Sequence, residues 1–152
     1  MKLHFLHGTE TGVSEMVCED VEAEFTDTFD CEISSLSDIE PSEMEADTFY
    51  ILVSSTHGTG EVPTTALPFM EKLEADKPDL SHVRFAIFGL GDMVFRETFA
   101  QGSERLMNGL KERGAKMLGE RGIYDASSAE MPEDLAIPWA HTIVGMLQSE
   151  AA

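Results

Sequence analysis

Basic residues are scarce: ten lysines and arginines stand against 29 aspartates and glutamates, for a formal charge of −19. The shortage is uneven. Residues 1–61 hold 15 acids and one base, Lys2, whereas residues 62–152 hold 14 acids and nine bases. Neutralising phosphates takes lysine and arginine, so the deficit excludes nucleic acid and anionic membrane as partners. It favours a basic protein partner, met by rapid, salt-sensitive encounter. No apolar run approaches the roughly 20 residues needed to span a bilayer. The run at Leu3–Leu6 is too short for the core of a signal peptide. The two cysteines, Cys18 and Cys31, form no CxxC and cannot frame a disulfide scaffold, so a reducing compartment fits. These absences point to a soluble, cytoplasmic protein. Its 152 residues, 42% of them hydrophobic and 26% charged, suit one globular domain spanning residues 1–152.

What is present is an alternation of two periodicities. Lys2–His7 alternates and then runs apolar up to Gly8, which predicts a buried strand. From Gly12 to Thr26, Val13, Met16, Val17, Val21 and Phe25 recur at spacings of three and four, which predicts an amphipathic helix. Asp30–Ser34 is a short strand, and the polar stretch 35–47 reads as a surface connection. Phe49–Val53 is a continuous aromatic and β-branched run, hence a central strand. A helix from about Thr65 to Ala75 follows, stopped by Pro78, and Val83–Phe88 is another buried strand. A helix ending near Arg113-Gly114 uses glycine as its stop. Lys116–Leu118 and Ile123-Tyr124 offer a last strand, and Pro132 to about Gln148 a closing helix. Strands alternating with helices, apolar on both faces at the centre, predict an α/β three-layer sandwich. Its parallel sheet has five strands in the order 2-1-3-4-5. Ligands of such sheets sit beyond the carboxyl ends of the strands, where the strand order reverses.

Three loops would meet at that edge. The first, Gly8-Thr9-Glu10-Thr11-Gly12-Val13-Ser14, joins a strand to a helix start and carries three hydroxyls but no lysine or arginine. Free N–H groups at a helix N-terminus attract an anion, and neutral donors alone suit a monophosphate. The stretch is neither a GxxxxGK[ST] phosphate loop nor a GxGxxG fingerprint, which argues against ATP and NAD. Thr9 or Thr11 as a plain helix cap accounts for the same residues, and the loop alone does not decide. The second, Ser54–Glu61, sets His57 beside Gly58-Thr59-Gly60, a backbone free to reorient against a flat ring with the imidazole covering it. A solvated loop histidine is the plainer reading, and no histidine or cysteine stands at metal-ligand spacing. The third, Gly89–Phe99, holds Phe95 and Phe99 where a surface loop should be polar. Phe95 suits stacking on a planar heterocycle and Phe99 suits the core beneath the loop. The joint arrival of all three at one edge weighs more than any one of them.

The three segments Gly8-Thr9-Glu10-Thr11-Gly12, Ser55-Thr56-His57-Gly58-Thr59-Gly60-Glu61 and Phe88-Gly89-Leu90-Gly91-Asp92 resemble the FMN loops of the flavodoxin family. The similarity is greatest to the branch shared by MioC-type flavodoxins and the FMN domains of diflavin reductases. Ser54–Gly58, Lys77-Pro78-Asp79-Leu80-Ser81, Val83-Arg84-Phe85, Gly114-Ala115-Lys116 and Met131-Pro132-Glu133-Asp134 carry it, and it covers essentially the whole chain. The resemblance implies a low-potential carrier of single electrons on FMN, with no catalytic residue of its own and no metal. It implies that Thr9, Glu10, Thr11, Gly12, Val13 and Ser14 hold the phosphate, and that Ser55, Thr56, His57, Gly58 and Thr59 border the flavin. Gly89, Leu90, Gly91 and Asp92 would bond the pyrimidine edge through their backbone, with Phe95 and Phe99 beside it. Phe95 stands where the branch usually has a stacking tyrosine, and Ala100 follows Phe99 where the branch often has a cysteine. The implied partners are a basic flavodoxin reductase and an acceptor enzyme, met by a monomer. The alternative is a flavin-dependent NAD(P)H quinone or nitro reductase. No second domain or spare nicotinamide pocket is visible to support it. A phospho-receiver module shares the sheet order but ends its first strand in acids, where Leu6-His7-Gly8-Thr9 stands here.

Overall fold

In the computed structural model, residues 2–8, 12–55, 63–91, 101–126 and 128–151 are described. Strand β1 (Lys2–Gly8) leads to helix α1 (Val13–Glu22), β2 (Asp30–Ser35) and β3 (Thr48–Ser54). Helix α2 (Leu67–Asp76), β4 (Arg84–Gly91) and α3 (Gln101–Glu112) follow, then the short strands β5 (Lys116–Met117) and β6 (Gly122–Asp125) and helix α4 (Pro132–Ala151). All pairings are parallel, and the sheet runs β2-β1-β3-β4-β5. The predicted strand order holds.

Alternation of side chains across the sheet divides the core in two. Leu3 and Phe5 of β1, Phe49, Ile51 and Val53 of β3, and Ala86 and Phe88 of β4 meet α1 and α4 on one face. Leu6, Tyr50, Leu52, Phe85 and Ile87 meet α2 and α3 on the other. Because β1 and β3 are buried on both faces, neither shows strict polar alternation in sequence.

Three local expectations change. Helix α1 stops at Glu22, and the chain continues in tighter turns, with Glu24 N–H bonding to Val21 O and Phe25 N–H to Glu22 O. The tightening keeps Phe25 buried, against Phe29 and the His141 ring of α4 at 4.8 Å. The stretch 35–47 is more than a surface connection. It forms two single 3-10 turns, Leu36–Asp38 and Pro41–Glu43, that bury Leu36, Pro41 and Met44 under the sheet.

The last strand position is shared by two segments. β5 pairs with Arg84-Phe85 and β6 with Phe88–Gly91, so six strands fill five positions. Between them the chain passes over α4. Gly119 lies at φ 71°, where a Cβ would come within 2.5 Å of Ile143 Cδ1, and the Trp139 indole N–H donates to Glu120 O at 3.1 Å.

Candidate functional site

Right-handed crossovers put α1 on one face and α2 on the other, so the strand order reverses between β1 and β3. Register sets the rim of that switch point: Gly8 lies beside Ser54, and Ser54 beside Gly89. The carboxyl ends of β1, β3 and β4 therefore finish level. Ser55 ties the first two together, its N–H donating to Gly8 O at 3.0 Å and its hydroxyl to the same oxygen at 3.4 Å. At the other side of the rim, Ala126 N–H donates to Gly91 O at 2.7 Å, holding the end of β6 against β4.

Small residues at this edge answer to packing. A Cβ at Gly8 would lie 3.0 Å from the Ala66 Cβ and 3.3 Å from Pro63 Cγ, which the turn before α2 brings over the strand end. Gly12 caps α1 at φ 89°, in the left-handed region that suits glycine, and has open space around its would-be Cβ. The N-cap of α1 makes no side-chain hydrogen bond, and the helix's N-terminal N–H groups and positive dipole end lie at this edge.

Two polar side chains occupy the layer beneath it. The buried face of α1 is Ser14, Val17, Cys18 and Val21. Ser14 is fully buried, and its Oγ has no hydrogen-bond partner among the described residues. His7, the penultimate residue of β1, is 8% exposed and its Nδ1 is likewise without a partner. Sequence reading passed over His7 as part of a buried strand. The signal that finds it is alternation, since Leu3, Phe5 and His7 share the α1 face of β1.

Of the residues expected at the site, Gly12, Val13, Ser14, Ser55, Gly89, Leu90 and Gly91 are described, and all lie at the carboxyl edge or the α1 start. Thr9, Glu10, Thr11, Thr56, His57, Gly58, Thr59, Asp92, Phe95 and Phe99 lie outside the described residues. A separate groove of about 980 Å³ runs between α2 and α3, away from this edge. Its lining balances Glu71, Glu74 and Glu112 against Lys77, Arg105 and Arg113, which gives it no preference for an ion of either sign. Among the described residues no group of histidines, cysteines and carboxylates can hold a metal, and no helix is long and apolar enough to cross a membrane.

The family model for flavodoxin matches residues 6–139. The chain belongs to the flavodoxin family. It is 37% identical to the protein MioC of Escherichia coli (strain K12) over 106 residues, 70% of this chain and 71% of that protein. It is also 34% identical over 134 residues to the flavoprotein alpha-component of the NADPH sulfite reductase of Bacillus subtilis (strain 168). That match takes in 84% of this chain but 22% of the longer protein. Among solved structures, oxidised flavodoxin 1 from Bacillus cereus superposes with a TM-score of 0.81 at 22% identity, covering 95% of this chain and 98% of that one. Flavodoxins are FMN-binding electron carriers, and this flavodoxin is one.

Proposed function

We propose that this flavodoxin carries single electrons at low potential between a basic reductase and an acceptor enzyme. Its FMN would lie across the carboxyl ends of β1, β3 and β4. The observation that carries the placement is the buried Ser14 Oγ, without a hydrogen-bond partner among the described residues, at an α1 N-terminus that opens on a left-handed glycine. A hydroxyl buried without a partner costs about 1–3 kcal/mol, and an anion at the helix start removes that cost. The described residues fit a phosphate there. Gly12, Val13 and Ser14, with Thr9, Glu10 and Thr11, hold it with amides and hydroxyls. Residues 8–14 carry no cationic side chain.

Ser55 is tied to Gly8, and in this reading Thr56, His57, Gly58 and Thr59, which follow it in sequence, would border the flavin. Gly89, Leu90 and Gly91 end β4 with backbone groups at the edge, and in this reading Asp92, Phe95 and Phe99 of the segment that follows would complete the flavin site. Bound FMN supplies reversible one-electron reduction, which no side chain of the chain provides. The protein's part is to exclude water and to present a field of −19, and both oppose added negative charge at the site and lower its potential. The acidic stretch 1–61 serves as the docking surface for a basic partner. The chain works as a monomeric single domain in a reducing cytoplasm, where Cys18 and Cys31 stay free thiols.

The purified protein is expected to be yellow and to release FMN on denaturation. A colourless protein that stays colourless when supplied with FMN overturns the reading. Steady NADPH oxidation by the isolated protein with a quinone would instead make it an enzyme.

A further inference from the structure

His7 has no role in the site as drawn so far, yet it shares an unusual feature with Ser14. Both side chains are more than nine-tenths buried, and each keeps a polar atom with no partner among the described residues. Their positions are linked by the crossover. Helix α1 runs back along β1, so its buried positions meet the strand in reverse order: Val21 and Cys18 pack with Leu3 and Phe5 in one core cluster. Extending that order by one turn of helix and two residues of strand brings Ser14 over the level of His7. The two do not bond to each other, although a hydroxyl and an imidazole are natural partners. Two buried polar groups left open in the same layer, beneath the positive end of one helix, are expensive to keep unless a third group satisfies both.

We propose that His7 is a phosphate-seat residue: its Nδ1–H donates, together with Ser14 Oγ, to the phosphate of bound FMN. The inference rests on the FMN placement given above and adds a donor from the strand side of the seat to those of the loop. It also accounts for a polar ring at the end of a strand that is otherwise apolar toward α1. A carbon side chain would pack there equally well and would leave nothing unsatisfied. A bond from a side chain to a charged phosphate is stronger than one between neutral groups, so its loss should be visible in affinity.

The decisive comparison is FMN against riboflavin, which shares the ring and ribityl chain but lacks the phosphate. Dissociation constants for both are measured by flavin fluorescence quenching on apoprotein, for the parent, His7→Phe and His7→Asn. Phenylalanine keeps the ring volume and removes the donor, whereas the asparagine amide keeps a donor near the place of Nδ1. For His7→Phe, FMN affinity should fall about ten- to hundredfold while riboflavin affinity stays within twofold of the parent. His7→Asn should recover most of the FMN affinity, and circular dichroism should show both variants folded. Unchanged FMN affinity in His7→Phe overturns the proposal. So does an equal loss for both flavins, or an unfolded His7→Phe with parental FMN affinity in His7→Asn and in Ser14→Ala, because each makes His7 a packing residue. A parent that binds neither flavin defeats the FMN placement itself, and a parent that binds both equally shows that no phosphate seat exists.

Discussion

Gly89 of β4 sits directly under Ser103 of α3: a Cβ built on Gly89 would lie 2.0 Å from Ser103 Oγ and 2.8 Å from its Cβ. Ser103 is fully buried and accepts an N–H from Arg121 Nη1 at 3.0 Å, so its hydroxyl is not free to swing aside. The contact fixes how closely α3 approaches the end of the strand that borders the proposed ring site. Gly89→Ala should therefore lower stability by about 1–3 kcal/mol through overpacking. The check is a lowered urea midpoint at constant slope. Adding Ser103→Gly should recover part of the loss, and an unshifted midpoint for Gly89→Ala would show that the layer yields freely.

The proposed function gives Phe95 the role of a ring stacked on the flavin. For Phe95→Ala we expect weaker FMN retention, by about tenfold for a stacked pair plus its buried area. Fluorescence titration of apoprotein reads it. An unchanged dissociation constant would remove Phe95 from the site.

Charge makes a prediction of its own. Residues 1–61 carry a net −14, and attraction to a basic reductase acts over about one Debye length, which shrinks from about 30 Å at 0.01 M salt to about 10 Å at 0.1 M. Stopped-flow reduction by a basic reductase should slow several-fold over that range. A rate independent of salt would leave the acidity with a role in solubility alone.

His4 gives the fold an acid-sensitive point. Burial holds its pKa below the ordinary histidine value, against the pull of Glu32, and its Nε2 bonds to Ser34 Oγ at 2.9 Å beside the Tyr50 ring. The unfolded chain therefore takes up the proton first as pH falls below about 6.5. The contribution of His4 to stability is present above that value and is lost on acidification through the window between the unfolded and the lower folded pKa. His4→Gln cannot titrate, so the drop in urea midpoint between about pH 7.5 and about pH 5.5 should be smaller than in the parent. Equal drops would assign the acid sensitivity to carboxylates instead.

Periodicity is a local property, and what depended on it alone was readable from the chain. Phe49–Val53 and Phe85–Phe88 announce buried strands because each run is apolar on both faces, and Leu3–Leu6 does so with His4 as its one polar residue. The stripe through Val17, Val21 and Phe25 announces a helix, although Val13 and Met16, predicted in the same stripe, are exposed and Ser14 and Cys18 are buried instead. The alternation of strands and helices dictates a parallel sheet whose carboxyl edge lies at Gly8, Ser54 and Gly89. Tertiary contacts decided the rest, because register and facing depend on residues distant in sequence. The early end of α1 follows from Phe25 meeting His141, 116 positions away. The division of the last strand follows from Trp139 and Ile143 of α4 crowding Gly119 and Gly122. The proposed pairing of His7 with Ser14 depends on α1 folding back on β1. A histidine in an apolar strand says nothing about its neighbour until the crossover supplies one, and that is why the proposed role of His7 could not be read from the chain.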